Sequence, residues 1–525
     1  MKENTSKILW IDDEIELLKP HIILLKQRSY DVDTASNGED AIELYRRNHY
    51  DLTFLDESMI GISGLETLPF LKDIDPSTPV VMVTKNEAES VMEEAIGKKI
   101  DDYLTKPVNP AQILAACKKF LDSKRIKAEK LTQDYLQGFA EISRKIMTET
   151  DTWDEWSEIY VQLVKWSMEL DRNPDLGFND TLADQFKTCN AEFSKFFEKH
   201  YHNWIHNEAD PHAPTFSNKI VEKFVLPKMK NNKPTVFFVI DGMRVDQWMV
   251  IEEVLRPYFN FKKDYYSSIL PTATPFARNA IFAGLFPDDI QKHYPQWWMD
   301  DINSEDHKAN AYERELLQEQ LNRKRVKLNN NLNYIKIHET EFGRRIENNI
   351  LNYAKADLTA IVINAIDIMA HSRSDFAILK EIAPDESAYR SLTKSWFLHS
   401  SFFGMLKALA DKDVNIVITT DHGTIRCMHG VKVLGDKATS TCLRYKFGRN
   451  VKADKRHAMQ IKDPRNYRLP AKGITVNNVI AKEDYYFVYP TDYHHYLQRY
   501  KDSFQHGGIS MEETIIPVIT LESKA

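Results

Sequence analysis

Short strand-like runs that end close to acidic or histidine side chains constrain this chain more than any other feature of its sequence. The runs occupy residues 8–11, 52–55, 80–83, 102–105, 236–240, 360–363 and 416–418. Apolar runs of this length are typical of strands in a buried parallel sheet. Ligands of open α/β sheets bind at the carboxyl ends of the strands. We therefore expect the polar side chains that follow these runs to converge on crevices at the sheet edges.

The distribution of these runs predicts an α/β multidomain protein. A chain of 525 residues is too long for one core and suggests about three domains at ~150 residues each. We expect an α/β domain at 1–122, a helical bundle linker at 123–207 and a second α/β domain at 208–525. The middle segment lacks the strand rhythm, and its large apolar side chains recur at helical spacing, which predicts about three helices.

Composition and charge exclude several classes of protein. The net charge of −8 and a pI near 6.1 argue against a protein that coats nucleic acid through a general basic field. The four cysteines are scattered without a Cys-x-x-Cys pair, so neither a disulfide framework nor a thiolate zinc site is indicated. No charged-then-apolar leader opens the chain, and no apolar run approaches the ~20 residues that span a bilayer. We therefore expect a cytoplasmic protein without membrane insertion.

Acidic side chains pool at the predicted strand ends of the first domain. Asp12 and Asp13 follow the first run, and Asp56 follows the second. Three carboxylates in one crevice are tolerable when a hard cation such as Mg²⁺ neutralises them. Thr84 and Lys106 follow the third and fourth runs, where they would contact a phosphoryl group carried by Asp56. This constellation indicates phosphorylation of a carboxylate.

The N-terminal domain resembles the receiver domain of two-component response regulators, which is a flavodoxin-like doubly wound parallel sheet. The resemblance implies that Asp56 is the phosphoacceptor and that a sensor histidine kinase is the phosphodonor. It implies that the backbone carbonyl of Ser58 joins the three acids as a Mg²⁺ ligand. It also implies a switch formed by Thr84 and Tyr103 together with Lys106.

Histidines and carboxylates near the strand ends of the last domain form two groups: Asp367 with His371 and His506, and Asp241 with Asp421 and His422. Asp367 and His371 share one face if a helical turn follows the strand. Imidazole and carboxylate ligands without thiolate suit Zn²⁺, with Mn²⁺ as the main competitor. Two such ions ~4 Å apart, with a threonine hydroxyl completing the second group, would clamp an in-line displacement at phosphorus.

The last domain resembles the alkaline phosphatase superfamily and, within it, the PglZ-type domain. The ligand types occur in the family's order, each after a predicted strand. The resemblance implies two bound Zn²⁺ ions and a threonine nucleophile that forms a covalent phosphothreonine intermediate. The residues that match the family's zinc ligands are Asp241, Asp367, His371, Asp421, His422 and His506, together with the nucleophilic threonine.

The loop at 271–275 offers two threonines for the nucleophile. Related enzymes place the nucleophile at a fixed spacing before a glycine turn, and Gly284 then selects Thr274, which would also be a zinc ligand. Thr272 is the alternative; otherwise its hydroxyl would serve the loop or cap the following helix. Arg278 falls where sulfatase-like relatives carry an arginine that binds the phosphoryl or sulfuryl group, so we expect it to bind substrate.

The segment from about 289 to 337 lacks the strand rhythm of its surroundings. It is rich in tryptophan, tyrosine, asparagine and arginine. Such a segment predicts a cap insertion that covers the crevice, where it would exclude water or stack bases.

Together, these resemblances indicate a PorX-type response regulator, in which a receiver controls a PglZ-type domain. The family implies a zinc-dependent phosphodiesterase or phosphatase, with diesters favoured over monoesters and with nucleotide-like or oligonucleotide-like substrates. It further implies regulation of type IX protein secretion, a transcription or secretion-system protein as a partner, and a homodimer that depends on phosphorylation. The alternative is a nucleotide-sensing or protein-docking regulator whose metal-binding domain has lost its catalytic activity.

Overall fold

The computed structural model describes residues 6–85, 100–148, 150–207, 210–229, 233–298, 310–435, 442–470 and 476–524. The chain divides into two compact units, Met1–Gln137 and Gly138–Ala525. Within the described ranges, no helix combines the length and the apolar composition that a bilayer crossing requires.

The first unit is built on five parallel strands: β1 (Lys7–Ile11), β2 (Asp31–Ala35), β3 (Leu52–Asp56), β4 (Val80–Thr84) and β5 (Asp102–Thr105). Their spatial order is β2-β1-β3-β4-β5. The helices described in this unit are Lys19–Gln27, Gly38–Arg47, Gly64–Ile74, Pro110–Cys117 and the N-terminal part of Ser123–Met147. The prediction of a doubly wound parallel sheet is confirmed.

Side chains of β1 alternate between two apolar layers. Leu9 and Ile11 belong to one buried cluster, whereas Ile8 and Trp10 belong to the other. Successive side chains of a strand point to opposite faces, so a run that is apolar at every position needs cover on both sides of the sheet. With both faces covered, the carboxyl end of the strand, at Asp12, is where a ligand can approach.

The helical region of the second unit contains the C-terminal part of Ser123–Met147 and the helices Trp153–Arg172 and Asn179–Trp204. The indole of Trp156 contacts the rings of Phe193 and Phe196 at centroid distances of 5.5 and 5.9 Å. All three side chains are buried, so these aromatic rings form part of the core between the two long helices. This helical region belongs to the same compact unit as the C-terminal α/β region.

The strands of the second unit are β6 (Thr235–Ile240), β7 (Phe259–Ser267), β8 (Leu332–Ile337), β9 (Leu358–Ile363), β10 (Asn415–Thr419), β11 (Ile425–Cys427), β12 (His429–Leu434), β13 (Tyr445–Arg449), β14 (Lys452–Ala453), β15 (Ala458–Ile461), β16 (Val476–Ala481), β17 (Tyr485–Val488), β18 (Ser503–Gln505) and β19 (Ile515–Ser523). The central sheet has the order β7-β19-β10-β6-β9-β8. Strands β8, β9, β6 and β10 are parallel, and β19 is antiparallel to both β10 and β7. The carboxyl ends of β6, β9 and β10 therefore meet at one edge.

The other α-helices among the described residues of this unit are Leu226–Met229, Val245–Leu255, Thr274–Ala283, Pro287–His293, Glu313–Arg323, Thr340–Tyr353, Ala365–Asp375, Ala377–Ile382, Glu386–His399, Ser401–Leu409, Tyr493–Tyr500 and Met511–Thr514. On one face of the central sheet, Phe238, Ile361 and Ile418 of adjacent strands share a buried core with Phe402 and Leu406 of a covering helix. This α/β architecture is the one that the sequence predicts for the last domain.

The segment 289–337 differs from the predicted cap in its C-terminal part. Residues 332–337 form β8, the edge strand of the central sheet, in parallel register with β9. Asparagine, tyrosine and lysine interrupt the apolar side chains of this strand and hide its rhythm in the sequence. The helix Glu313–Arg323 packs against the helix Thr274–Ala283. Residues 299–309 lie outside the described residues.

A buried carboxylate links the helical region to the end of the unit. Asn190 Nδ2 donates to Glu512, lying 3.2 Å from Oε1 and 3.0 Å from Oε2. Glu512 is only 7% exposed. Burial, together with the nearby Glu386 carboxylate, raises the pKa of Glu512 to about 7.

We expect Glu512→Gln to stabilise the protein at alkaline pH. The unfolded chain loses the Glu512 proton near its ordinary pKa of 4.5, whereas the folded chain keeps it until about pH 7. The free energy of unfolding therefore falls as the pH rises through this window. The variant should gain up to about 3 kcal/mol at pH 8, because each pKa unit corresponds to about 1.4 kcal/mol.

Urea unfolding at pH 4.5 and pH 8 measures this difference, and the gain should vanish at the lower pH. Glu522→Gln, at an exposed position of β19, is the matched control and should change neither value. An equal effect of Glu512→Gln at both pH values would contradict the assignment.

Candidate functional site

The strand-end acids of the first unit form one buried cluster. Asp12 is fully buried and Asp56 is 2% exposed, whereas Asp13 is partly exposed. One carboxylate oxygen of each lies within 4.8 Å of the others. Lys106 Nζ lies 2.8 Å from Asp12 Oδ2 and 2.9 Å from Asp56 Oδ2. The ammonium group of Lys106 thus forms ion pairs with two buried carboxylates.

The electrostatics of this cluster fit a cation. Burial raises the pKa of Asp56, with the Asp12 carboxylate acting in the same direction and Lys106 in the opposite one. Asp56 Oδ1 is buried and accepts no hydrogen bond from the described residues. An all-oxygen set of carboxylates matches the preference of Mg²⁺.

The other predicted receiver residues surround this cluster at different depths. Thr84 is the last residue of β4, and its side chain is buried. Strand β4 pairs with β3 so that Asp56 lies opposite Val83, the residue before Thr84. Tyr103 lies on β5 and is 42% exposed. Ser58 is exposed two residues after the proposed phosphoacceptor. Their roles as switch residues and as a Mg²⁺ ligand stay predictions.

The first predicted metal group of the second unit comes together. Asp367 and His371 lie one turn apart on the helix Ala365–Asp375, and His506 follows β18. His371 Nε2 lies 3.3 Å from His506 Nε2 and 3.5 Å from Asp367 Oδ2. His506 Nε2 lies 3.6 Å from Asp367 Oδ1. Three ligand atoms therefore face a common point.

The second predicted group is assembled beside the first. Asp241 directly follows β6, while Asp421 and His422 follow β10, so the parallel pairing of these strands brings all three together. His422 Nε2 lies 3.7 Å from Asp241 Oδ1 and 3.8 Å from Asp421 Oδ2. The His422 ring stacks on the His506 ring at 4.1 Å. The stacked rings of His422 and His506 thus bring the two groups into contact.

The two threonines of the loop have different surroundings. Thr274 Oγ1 lies 3.0 Å from His422 Nε2 and 3.4 Å from Asp241 Oδ1, within the second group. Thr272 Oγ1 donates to Gly508 O at 2.8 Å and accepts from Gly507 N at 3.1 Å. The hydroxyl of Thr272 is therefore engaged by backbone, whereas that of Thr274 lies among the predicted metal ligands.

Three family models match consecutive segments of the chain: the response regulator receiver domain at residues 8–118, the PorX response regulator linker domain at 125–205, and the BREX system PglZ alkaline phosphatase-like domain at 220–521. The last match covers more than half of the chain. The chain belongs to the PglZ family. Its domain order matches that of a PorX-type fusion of receiver and PglZ domains.

Two bacterial regulators among the curated relatives match about a quarter of this PglZ protein. The transcriptional regulatory protein ResD of Bacillus subtilis is 31% identical over 118 residues, which are 22% of this chain and 49% of ResD. The alginate biosynthesis regulator AlgB of Pseudomonas syringae pv. tomato is 34% identical over 126 residues, which are 24% of this chain and 28% of AlgB. The chain thus spans half or less of the length of these relatives.

Solved structures match a similar share of the PglZ protein. Chemotaxis protein CheY4 of Vibrio cholerae is 24% identical, with 22% of this chain and 99% of CheY4 covered and a TM-score of 0.22. A two-component response regulator of Clostridium difficile is 28% identical, with 22% and 97% covered and a TM-score of 0.22.

Burial in the PglZ site opposes ionisation of two of its carboxylates, Asp421 and Asp367. Burial and the charge of Asp241 raise the pKa of Asp421 well above its ordinary value, and burial raises that of Asp367 to about 6. Asp421 Oδ2 and Asp367 Oδ1 are buried and accept no hydrogen bond from the described residues. Cations would compensate such a cluster, because a bound metal ion is often the largest local charge.

Two of the three histidines of the PglZ site, His422 and His506, are held in the tautomer that places the lone pair on Nε2. His422 Nδ1 lies 3.1 Å from Gly423 O, and His506 Nδ1 lies 3.3 Å from Thr272 O. A carbonyl oxygen only accepts, so each Nδ1 carries the proton and each Nε2 lone pair faces the neighbouring carboxylates. The donor set of imidazole nitrogen and carboxylate oxygen fits Zn²⁺ or Mn²⁺.

Arg278 is buried among carboxylates. Its Nη1 donates to Asp241 Oδ2 and its Nε donates to Glu313 Oε1 at 2.6 Å. Burial acts to raise the pKa of Asp241, but Arg278 and His422 outweigh it, so this pKa lies below the ordinary value. In this structure Arg278 keeps Asp241 ionised, and its contact with substrate stays a prediction. Glu313, which holds Arg278, lies in the segment expected to be a cap and belongs to no motif.

Proposed function

We propose that the chain is a response regulator, phosphorylated on Asp56 by a sensor histidine kinase, whose PglZ domain hydrolyses phosphoric esters with two bound metal ions. The observation that carries the catalytic part is the Thr274 hydroxyl, which lies 3.0 Å from His422 Nε2 among buried ligand atoms. A hydroxyl placed among metal-ligand atoms is suited to act as a nucleophile or to complete a metal site.

The residues of the site divide the chemistry among them. Two divalent cations, zinc ahead of manganese, fit the two groups and would lower the pKa of the Thr274 hydroxyl and offset charge on the phosphoryl group. Thr274 begins the helix Thr274–Ala283, whose N-terminus favours an anionic group at that position. Its oxygen, once deprotonated, would attack phosphorus and displace the alcohol of the ester, which takes up a proton as it leaves, to give a phosphothreonine. Water would then cleave the bond between phosphorus and the threonine oxygen, releasing the phosphate product and restoring the hydroxyl. Arg278 keeps Asp241 anionic throughout.

The domain order of PorX-type regulators supports finer proposals. We propose zinc as the metal, nucleotide-like or oligonucleotide-like diesters as the preferred substrates, and control of type IX protein secretion as the cellular role. We also propose a homodimer that forms on phosphorylation, and a cytoplasmic location. A transcription or secretion-system protein would receive the output.

We expect removal of the metal to abolish hydrolysis. Dialysis against a chelator at neutral pH should lower turnover of bis-p-nitrophenyl phosphate and of short oligonucleotides by about 100-fold or more, since the ions supply the main charge stabilisation. Added Zn²⁺ or Mn²⁺ should restore it. Metal bound to the folded state only should also raise the melting temperature. Mass spectrometry should find about two metal ions per chain in the active protein, as a two-metal site requires.

Bound metal at this stoichiometry without turnover of any ester would overturn the catalytic proposal. That outcome would favour the nucleotide-sensing or protein-docking regulator. Activity that survives complete removal of metal would also overturn it.

A further inference from the structure

The loops that carry Thr274 and His506 both rest on one helix, Asn179–Trp204. Tyr201 Oη of this helix accepts a hydrogen bond from Leu270 N at 2.9 Å, four residues before the proposed nucleophile. Tyr201 and Leu270 are each 1% exposed. Pro271 has no N–H, so Leu270 N is the last backbone donor before this proline, and the Tyr201 hydroxyl is its acceptor.

The same helix binds the loop that follows His506. Ser194 Oγ donates to Ile509 O at 3.2 Å, and Asn190 Oδ1 accepts from Met511 N at 2.8 Å. Ser194 and Asn190 are 1% and 5% exposed. Backbone groups buried at this depth need partners inside the protein, because water does not reach them.

Thr272 joins the two loops to each other. Its hydroxyl bonds to Gly507 N and Gly508 O, and its carbonyl faces His506 Nδ1 at 3.3 Å. The nucleophile loop, the His506 loop and the helix therefore form a closed triangle of hydrogen bonds. A displacement of either loop on the helix must strain or break the bonds at Thr272.

We infer that Tyr201 and Ser194 are positioning residues that fix the distance between Thr274 and His506. The inference rests on the proposed esterase function for its kinetic part. The helix that carries these side chains lies within the segment matched by the PorX linker model, residues 125–205. The linker therefore contributes to the geometry of the catalytic site.

The physical reason is the cost of a buried donor or acceptor without a partner. Tyr201→Phe keeps the ring but removes the acceptor of Leu270 N. The loop then lowers its free energy by moving to a position where Leu270 N meets another acceptor. A displacement of about 1 Å at a reacting group can cost about 100-fold in rate. Substrate binding depends less on such a shift than the chemical step does.

We expect Tyr201→Phe to lower kcat about tenfold or more with KM changed by less than about twofold, since the lost alignment acts mainly on the chemical step. Ser194→Ala should weaken metal binding, because the loop that Ser194 holds is continuous with His506, and a shift of this loop would displace the His506 side chain. The matched controls are Tyr489→Phe and Ser157→Ala, whose buried hydroxyls have no hydrogen-bond partner among the described residues. Both controls should leave kcat and metal affinity unchanged.

Hydrogen–deuterium exchange of the metal-free full chain supplies a readout that does not need activity. Tyr201→Phe should speed exchange in 268–276, and Ser194→Ala in 507–513, while the controls leave both segments as in the parent. Unchanged exchange in these segments would overturn the inference, as would equal loss of kcat in variants and controls. A parent protein without turnover would instead sink the proposed function, and the exchange result would still decide the positioning role.

Discussion

Thr274→Val abolishes ester hydrolysis while the chain keeps its fold and the other six predicted metal ligands: this is the expected result with the largest effect. Thr274 Oγ1 lies 3.0 Å from His422 Nε2 and 3.4 Å from Asp241 Oδ1, and valine replaces that oxygen with a methyl group of similar size. Loss of a nucleophile typically costs 10³-fold or more, so we expect a fall in kcat on the order of 10³-fold or greater.

Thr272→Val provides the comparison within the same loop. This variant keeps the Thr274 oxygen but removes the hydroxyl that bonds to Gly507 and Gly508. We expect partial activity, lowered about 10- to 100-fold by misalignment. Steady-state turnover of bis-p-nitrophenyl phosphate, with melting temperature and metal content of each variant, measures both. Partial activity in Thr274→Val beside complete loss in Thr272→Val would make Thr272 the nucleophile.

The strand-end residues of both α/β regions were predictable from the sequence because each stands just after an apolar run that marks a buried strand. Asp56 and Asp241 each follow a run of side chains that only a covered strand can bury. Parallel strands bring their carboxyl ends to one edge whatever the intervening loops contain. The position of Asp421 next to Asp241 therefore follows from sheet topology alone.

Other features of the site depend on contacts that no local pattern reports. Glu313 supports Arg278 across 35 residues, and Tyr201 reaches Leu270 across 69. Each is an ordinary residue of an amphipathic helix when only the sequence is considered. The role of Thr272 also depends on a distant partner, the backbone after His506. Strand β8 was missed because an edge strand has one neighbour and tolerates polar side chains.

Buried charge distinguishes the two sites of the chain. In the receiver, Lys106 already neutralises part of the charge of Asp12 and Asp56, so one further cation suffices. In the PglZ site the buried cation is Arg278, which is committed to Asp241 and Glu313. The Asp421 carboxylate lies 3.8 Å from the same guanidinium, and burial raises the pKa of Asp367, so added cations would lower the electrostatic cost of this cluster.

Asp56→Asn should abolish phosphorylation of the receiver. With Mg²⁺ and acetyl phosphate, we expect the parent chain to gain one phosphoryl group by intact mass, labile to hydroxylamine as an acyl phosphate is. An amide oxygen is a far weaker nucleophile than a carboxylate, so the variant should gain none. Asp73→Asn, at an exposed position of the helix Gly64–Ile74, is the matched control and should be phosphorylated like the parent.

Sedimentation of the same samples tests the proposed dimer. A phosphoryl group on Asp56 would bring new charge and acceptor oxygens to Lys106 and Thr84. A change in the positions of these side chains would alter the surface of the receiver, and the altered surface can favour formation of a dimer. We expect the phosphorylated parent and control to sediment as dimers, and Asp56→Asn to keep the mass of the unphosphorylated chain. Phosphorylation of Asp56→Asn would place the phosphoacceptor elsewhere, whereas an unchanged mass of the phosphorylated parent would remove dimerisation from the proposal and leave the phosphoacceptor intact.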